Sequence, residues 1–209
     1  MGTTGAGVTG LGSYAAALAD VAEQADQPRL ARLAEELGRP LRVGVRGRRG
    51  AGCATVTRAL RRRGVGVVDA GEARDVDVHV LVETLKPEDA AVLGGPGPPR
   101  VAVLNKADLG GLSGGGPLAR AASYCTTVQA ECRIPTFPLA GLLAAAVVDD
   151  DVVCALSLLA REPADLGSTD RFVAGVHPLP RAVRERLLAE LDLFGVAHGV
   201  LAVRSGANR

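Results

Sequence analysis

Aromatic residues are nearly missing from this 209-residue chain, which has no Trp, two Tyr and three Phe. That argues against binding nucleic acid by stacking bases on aromatic side chains. Neither sign of charge is in excess, since 24 Lys and Arg against 23 Asp and Glu leave a net charge of +1. Without a basic field to hold a polyanion, no nucleic-acid partner is expected. Lysine is scarce, with Lys86 and Lys106 against 22 arginines. Together with the abundance of Ala and Gly, this reads as a GC-rich coding bias. None of the four cysteines forms a Cys-x-x-Cys pair, and no His sits at metal-ligand spacing. The expectation is no metal site, and small buried thiols in a reducing cytosol.

Long apolar runs are also lacking. The strongest, Ile134 to Val148, holds two prolines, stops at Asp149-Asp150-Asp151 and is too short to span a membrane. The first 19 residues carry no charge but lack the basic start of a secretory signal, and Ala6 stands where a myristoylation site needs Ser or Thr. A cytoplasmic location is expected, with membranes reached only through a partner.

With 47% hydrophobic residues, the chain can bury one good core, built from Ala, Val and Leu. The most informative stretch is Val101-Ala102-Val103-Leu104-Asn105-Lys106-Ala107-Asp108. A buried strand that delivers Asn-Lys-x-Asp at its carboxyl end is suited to reading guanine. The Asp108 carboxylate can accept from N1–H and the exocyclic amine, a donor pair that adenine lacks. Asn105 reaches the base and ties neighbouring loops, and the Lys106 stem lies over base or sugar. A plainer reading is a strand followed by a polar turn.

Residues 1–12 read as disordered. A helical pattern over 13–40 starts from Ser13 as cap and breaks at Pro28 into two helices. Residues 41–148 read as one α/β domain. A short strand from Leu41 to Arg46 leads into Gly47-Arg48-Arg49-Gly50-Ala51-Gly52-Cys53-Ala54-Thr55 and a helix. Strand, glycine loop, helix is the setting of a phosphate-binding loop. The Gly47-x4-Gly52 spacing fits, but Cys53 and Ala54 replace the Lys that reaches the terminal phosphates and the Ser or Thr that binds magnesium. Backbone amides can still cradle an anion. Arg48 and Arg49 either compensate for the missing Lys or are solvated loop residues.

The next strand, Val65 to Val68, ends at Asp69-Ala70-Gly71, one residue short of Asp-x-x-Gly, so Asp69 and Gly71 are read as its relic. Only Gly64 separates this strand from the preceding helix, which leaves no room for a first switch segment. Another strand runs from Val76 to Glu83, with His79 and Asp77 on its other face. Gly110 to Gly116 reads as a linker. Ile134 to Leu139 reads as an edge strand because of Pro135 and Pro138. Ala140-Gly141 follows, where a small-residue loop lets a backbone amide approach a guanine oxygen. Residues 149–209 read as a helical C-terminal extension.

Three segments, namely the helix up to Leu41-Arg42-Val43, Val103 to Asp108, and Ile134 to Ala144, resemble the GTPase domain of actinobacterial dynamin-like proteins. Asp170-Arg171-Phe172 and Leu187 to Val200 are similar to the helices that follow that domain. The resemblance implies a P-loop GTPase fold, guanine nucleotide with magnesium as cofactors, a paired GTPase as partner, and action at membranes. The chain departs from it in the Walker Lys and Ser, the first switch, the Asp-x-x-Gly spacing and the stalk. The fold expected is a reduced P-loop GTPase-like three-layer α/β/α domain, its mostly parallel sheet of about five strands, with a helical C-terminal extension. The function expected is that of a pseudo-GTPase with no catalytic residues. It would hold GDP or GTP with weak or no magnesium and act on a protein partner. A divergent active GTPase and a nucleotide-free scaffold remain the alternatives.

Overall fold

A computed structural model describes residues 6–111 and 114–206, with side chains from Gly12 onward. The expected disorder at 1–5, part of the glycine-rich linker (112–113) and the end of the C-terminal extension (207–209) lie outside the described residues. The chain forms two compact units, 1–41 and 42–209.

The first unit is a hairpin of α1 (Ala6–Gln24) and α2 (Pro28–Gly38). The break falls at Pro28, whose missing N–H costs nothing at the first helical position. Two expectations are corrected. Residues 6–12 are helical rather than disordered, and Ser13 lies inside α1 rather than capping it. The run of Ala, Leu and Gly there lacks charge but keeps the helical spacing of apolar residues.

The second unit carries a five-stranded, all-parallel sheet in the order β2-β1-β3-β4-β5. The strands are β1 (Arg42–Gly47), β2 (Gly66–Val68), β3 (Val76–Val82), β4 (Arg100–Asn105) and β5 (Thr136–Leu139). β5 is an edge, as its prolines require. Helix α3 (Cys53–Arg62) covers one face, with Val43, Val56, Val78 and Val80 as core. Helices α4 (Pro87–Gly94) and α5 (Gly116–Cys132) cover the other, over Leu81, Leu93, Ala102, Leu104 and Cys125. β3 supplies both cores because its successive side chains alternate between the two faces. The result is a three-layer α/β/α domain.

The C-terminal helices belong to this same unit. They are the short α6 (Gly141–Ala144), then α7 (Asp150–Arg161), α8 (Thr169–Ala174) and α9 (Arg181–Arg204). Their core is built around Phe172, Leu187, Val152 and Val196. α9 carries a kink at Asp192 (φ 59°, ψ 172°), which divides its amphipathic first half from its apolar second half. Among the described residues, no helix is long and apolar enough to cross a membrane.

This strand order reverses direction between β1 and β3, and doubly wound sheets bind ligands at that switch point, beyond the carboxyl ends of the strands. The glycine loop leaves β1 there, and Asn105 ends the next strand but one.

Candidate functional site

Asn105 is 3% exposed and both ends of its amide are used. Nδ2 donates to the Ala51 carbonyl at 2.8 Å, and Oδ1 accepts from the Gly141 amide at 3.0 Å. One partner needs a donor and the other an acceptor, so the orientation of the amide follows from chemistry. The residue ties the glycine loop and the turn after β5 to the end of β4. It also explains two glycines. A Cβ on Gly52 would collide with Nδ2, and one on Gly141 with Oδ1. Gly52 further sits at φ 89°, where side chains are strained.

Just beyond Asn105, Lys106 takes a left-handed conformation (φ 58°, ψ 34°) and is exposed. Buried Ala107 opens a single 3₁₀ turn, Ala107–Leu109, which presents half-buried Asp108. No hydrogen bond or ion pair holds the Asp108 carboxylate among the described residues. Ala140 lies just ahead of α6. Of the two amides in the small-residue loop, that of Gly141 is committed to Asn105.

The phosphate side is filled in differently from the expectation. Gly47 ends β1 against the Val80 carbonyl, and Cys53 Sγ folds back to within 3.0 Å of where a Gly47 Cβ would stand. Burial pushes the Cys53 thiol up, although its own amide pulls it slightly back, so it is protonated at neutral pH. Ala54 is exposed, Thr55 is half-buried, and Gly50 (φ 84°) supplies the turn. Arg48 does not face a phosphate position: its Nε donates to Asp89 Oδ2 at 2.9 Å. Arg49 is exposed and has no partner among the described residues. Asp69 caps its own turn, its amide donating to Glu72 at 2.8 Å, and its mostly exposed carboxylate lies 3.5 Å from Arg61. Gly71 provides that turn at φ 99°. Neither residue bonds to the glycine loop.

Sequence reasoning missed Asp89 and the role of His79. Asp89 is 1% exposed at the third position of α4. Besides Arg48, it holds His79 Nε2 at 2.9 Å and the Lys86 amide at 3.3 Å. His79 is itself buried, and its Nδ1 has no partner among the described residues. Burial pushes the Asp89 carboxyl up, but the bonds from His79 and Lys86 and the Arg48 charge outweigh it and hold it below the usual carboxylate range. The available signal was a lone His in a buried strand, which requires a partner.

A cavity of about 550 Å³ opens at the carboxyl ends of β3 and β4, against α5. Glu83, Lys106, Leu109, Arg120 and Tyr124 line it. The Tyr124 hydroxyl accepts from the Leu85 amide at 2.7 Å, which fixes the wall. The cavity shares Asn105 and Lys106 with the base-reading residues. Its described lining does not include Asp108, Ala140 or the glycine loop.

Thiol reactivity separates the cysteines. Cys154 is exposed, whereas burial raises the Cys53, Cys125 and Cys132 thiols. Timed iodoacetamide labelling at pH 7 with peptide mass mapping is expected to modify Cys154 first. Fast labelling of Cys53 would contradict the packed thiol at the loop. Compared with known proteins, the chain matches no family model and no curated protein.

Proposed function

We propose that this chain is a guanine-nucleotide-binding pseudo-GTPase that acts on a protein partner, an intact GTPase being the class its resemblance suggests. The observation that carries the reading is the Asn105 staple. It closes the glycine loop and the turn after β5 around the end of β4, and beside it Asp108 keeps a free carboxylate. A free acceptor pair of this kind suits the two donors on one edge of guanine. Chemistry on the phosphates has no comparable support. Arg48 is held by Asp89, Cys53 is folded onto Gly47, and the Asp69 carboxylate lies beside Arg61, away from the glycine loop.

Calorimetric titration of the full chain with GDP, GTP and ATP, with and without Mg²⁺, tests this. GDP and GTP are expected to bind, ATP is not, and Mg²⁺ is expected to change little. No phosphate should be released over hours. Asp108→Ala is expected to abolish GDP binding while leaving the melting temperature unchanged. Absence of GDP and GTP binding at millimolar concentration would leave the second reading, a nucleotide-free scaffold on the same fold. The engagement of Arg48 and Cys53 within the protein favours that reading.

A further inference from the structure

The unit 1–41 is closed through small side chains. Among its described residues the buried ones are Ala15, Ala22 and Ala34, and Gly38 lies against the Ala15 methyl. Alanine seams let helices approach closely but bury little apolar area. The large apolar residues lie elsewhere. At 100° per residue, Tyr14, Leu18 and Val21 form one stripe of α1, and Leu30, Leu33 and Leu37 form one stripe of α2. One side of the seam is a groove edged by Ala19, Glu23, Ala31 and Glu35. The helices are antiparallel, so both large-residue stripes fall on the opposite side, together. There Tyr14 is 72% exposed, Val21 50%, Leu33 46% and Leu37 38%. Two helices alone have too little core to hold such a face open.

The charges beside this face point to what covers it. Arg29 and Glu36 flank the α2 stripe on one side, seven residues and two turns apart. Both are exposed, and neither has an ion pair or hydrogen bond among the described residues. If two α2 helices cross antiparallel near Leu33, Arg29 of each meets Glu36 of the other. The two-fold axis makes both pairs at once. The pattern is complementary to itself.

We propose that the apolar face of the α1–α2 hairpin docks on the same face of a second copy of this chain, forming a four-helix bundle with Leu33 near its two-fold axis and two Arg29–Glu36 pairs across it. Such bundles join two hairpins through exposed stripes of this kind.

Sedimentation velocity on the full chain over micromolar concentrations tests this. The expected species is a reversible dimer of twice 21.3 kDa. Leu33→Glu is expected to give monomer with unchanged helical circular dichroism. Arg29→Glu and Glu36→Arg each place like charges opposite one another and are expected to weaken the dimer by about tenfold. Mixing these two variants, or combining both changes in one chain, is expected to restore it. A wild type that stays monomeric at every concentration overturns the proposal. So does a dimer that survives Leu33→Glu, or a pair of charge variants that dimerise like the wild type.

Discussion

Asn105→Ala is expected to lower the stability of the chain by about 3 kcal/mol. The substitution removes no great volume. Its cost arises because the Ala51 carbonyl and the Gly141 amide lose their partners inside the protein, Ala51 being 1% exposed and Gly141 buried. A buried polar group left without a partner costs roughly 1–3 kcal/mol, and here there are two. For a chain of this size the melting temperature should fall by about 10 °C. Asn105→Asp is expected to be no better. A carboxylate still accepts from Gly141 but faces the Ala51 carbonyl with no hydrogen to give. Thermal unfolding checks both, and a change below ~1 °C would contradict the stapling role. Asp108→Ala serves as the control. Its side chain has no partner, so its stability effect should stay within about 0.5 kcal/mol. Both variants are expected to lose GDP, but only the Asn105 change should also loosen the fold.

Asp89→Ala is expected to cost about 2–4 kcal/mol, and it acts on a different set of atoms. It leaves buried His79 with neither ring nitrogen bonded among the described residues and frees the Arg48 guanidinium of the glycine loop from α4. Arg48 is partly exposed and regains water, so most of the loss belongs to His79 and to the buried space. The milder Asp89→Asn isolates the charge. The native Asp89 carboxyl titrates below its ordinary range because His79, Lys86 and Arg48 outweigh its burial. The folded state therefore binds fewer protons there than the unfolded state at acidic pH. Its stabilising contribution is complete above about pH 4, the ordinary carboxylate value, and is lost as pH falls through the lower native value. The carboxylate's share of the stability gap between wild type and Asp89→Asn should thus shrink as pH falls below about pH 4. Asp149 is lowered as well, by the Val152 amide first and Arg186 second. It is present in both proteins, so its share cancels in the comparison. Urea unfolding at a series of pH values measures the gap, and a gap that widens in acid would contradict the ionised Asp89.

Much of the architecture was legible because local chemistry set it. Strand, glycine loop and helix at 42–62 followed from alternation and from Gly47, Gly50 and Gly52. The break at Pro28 and the edge position of β5 followed from proline's missing donor. The short connection between α3 and β2 was visible as well, since only residues 63–65 separate them. What misled the reading of residues 6–13 was composition, since Gly and Thr were weighed above apolar spacing. At the site, the residue types were legible and their partners were not. Arg48 and Arg49 are adjacent and chemically alike, yet only Arg48 lies opposite a buried carboxylate, 41 residues away. Ala140-Gly141 was read as a small-residue loop whose backbone amide approaches a guanine oxygen; the structure shows a Gly141 contact of another kind. That its partner is Asn105, 36 residues earlier, depends on how β4 and β5 lie side by side.

The sequence by itself determined the α/β class with a mostly parallel sheet, that Asn105-Lys106-Ala107-Asp108 follows a strand, and that Cys53 and Ala54 stand where a phosphate loop would carry Lys and a hydroxyl. Those properties rest on spacing and residue type within a few positions along the chain. Only the tertiary structure decided that Asn105 is spent as a staple, that Arg48 is bound to Asp89 rather than free for an anion, and that His79 has a carboxylate partner. Hydrogen bonds and ion pairs of that kind depend on ångström-scale distances between segments far apart in sequence, and packing of the sheet against its helices sets those distances.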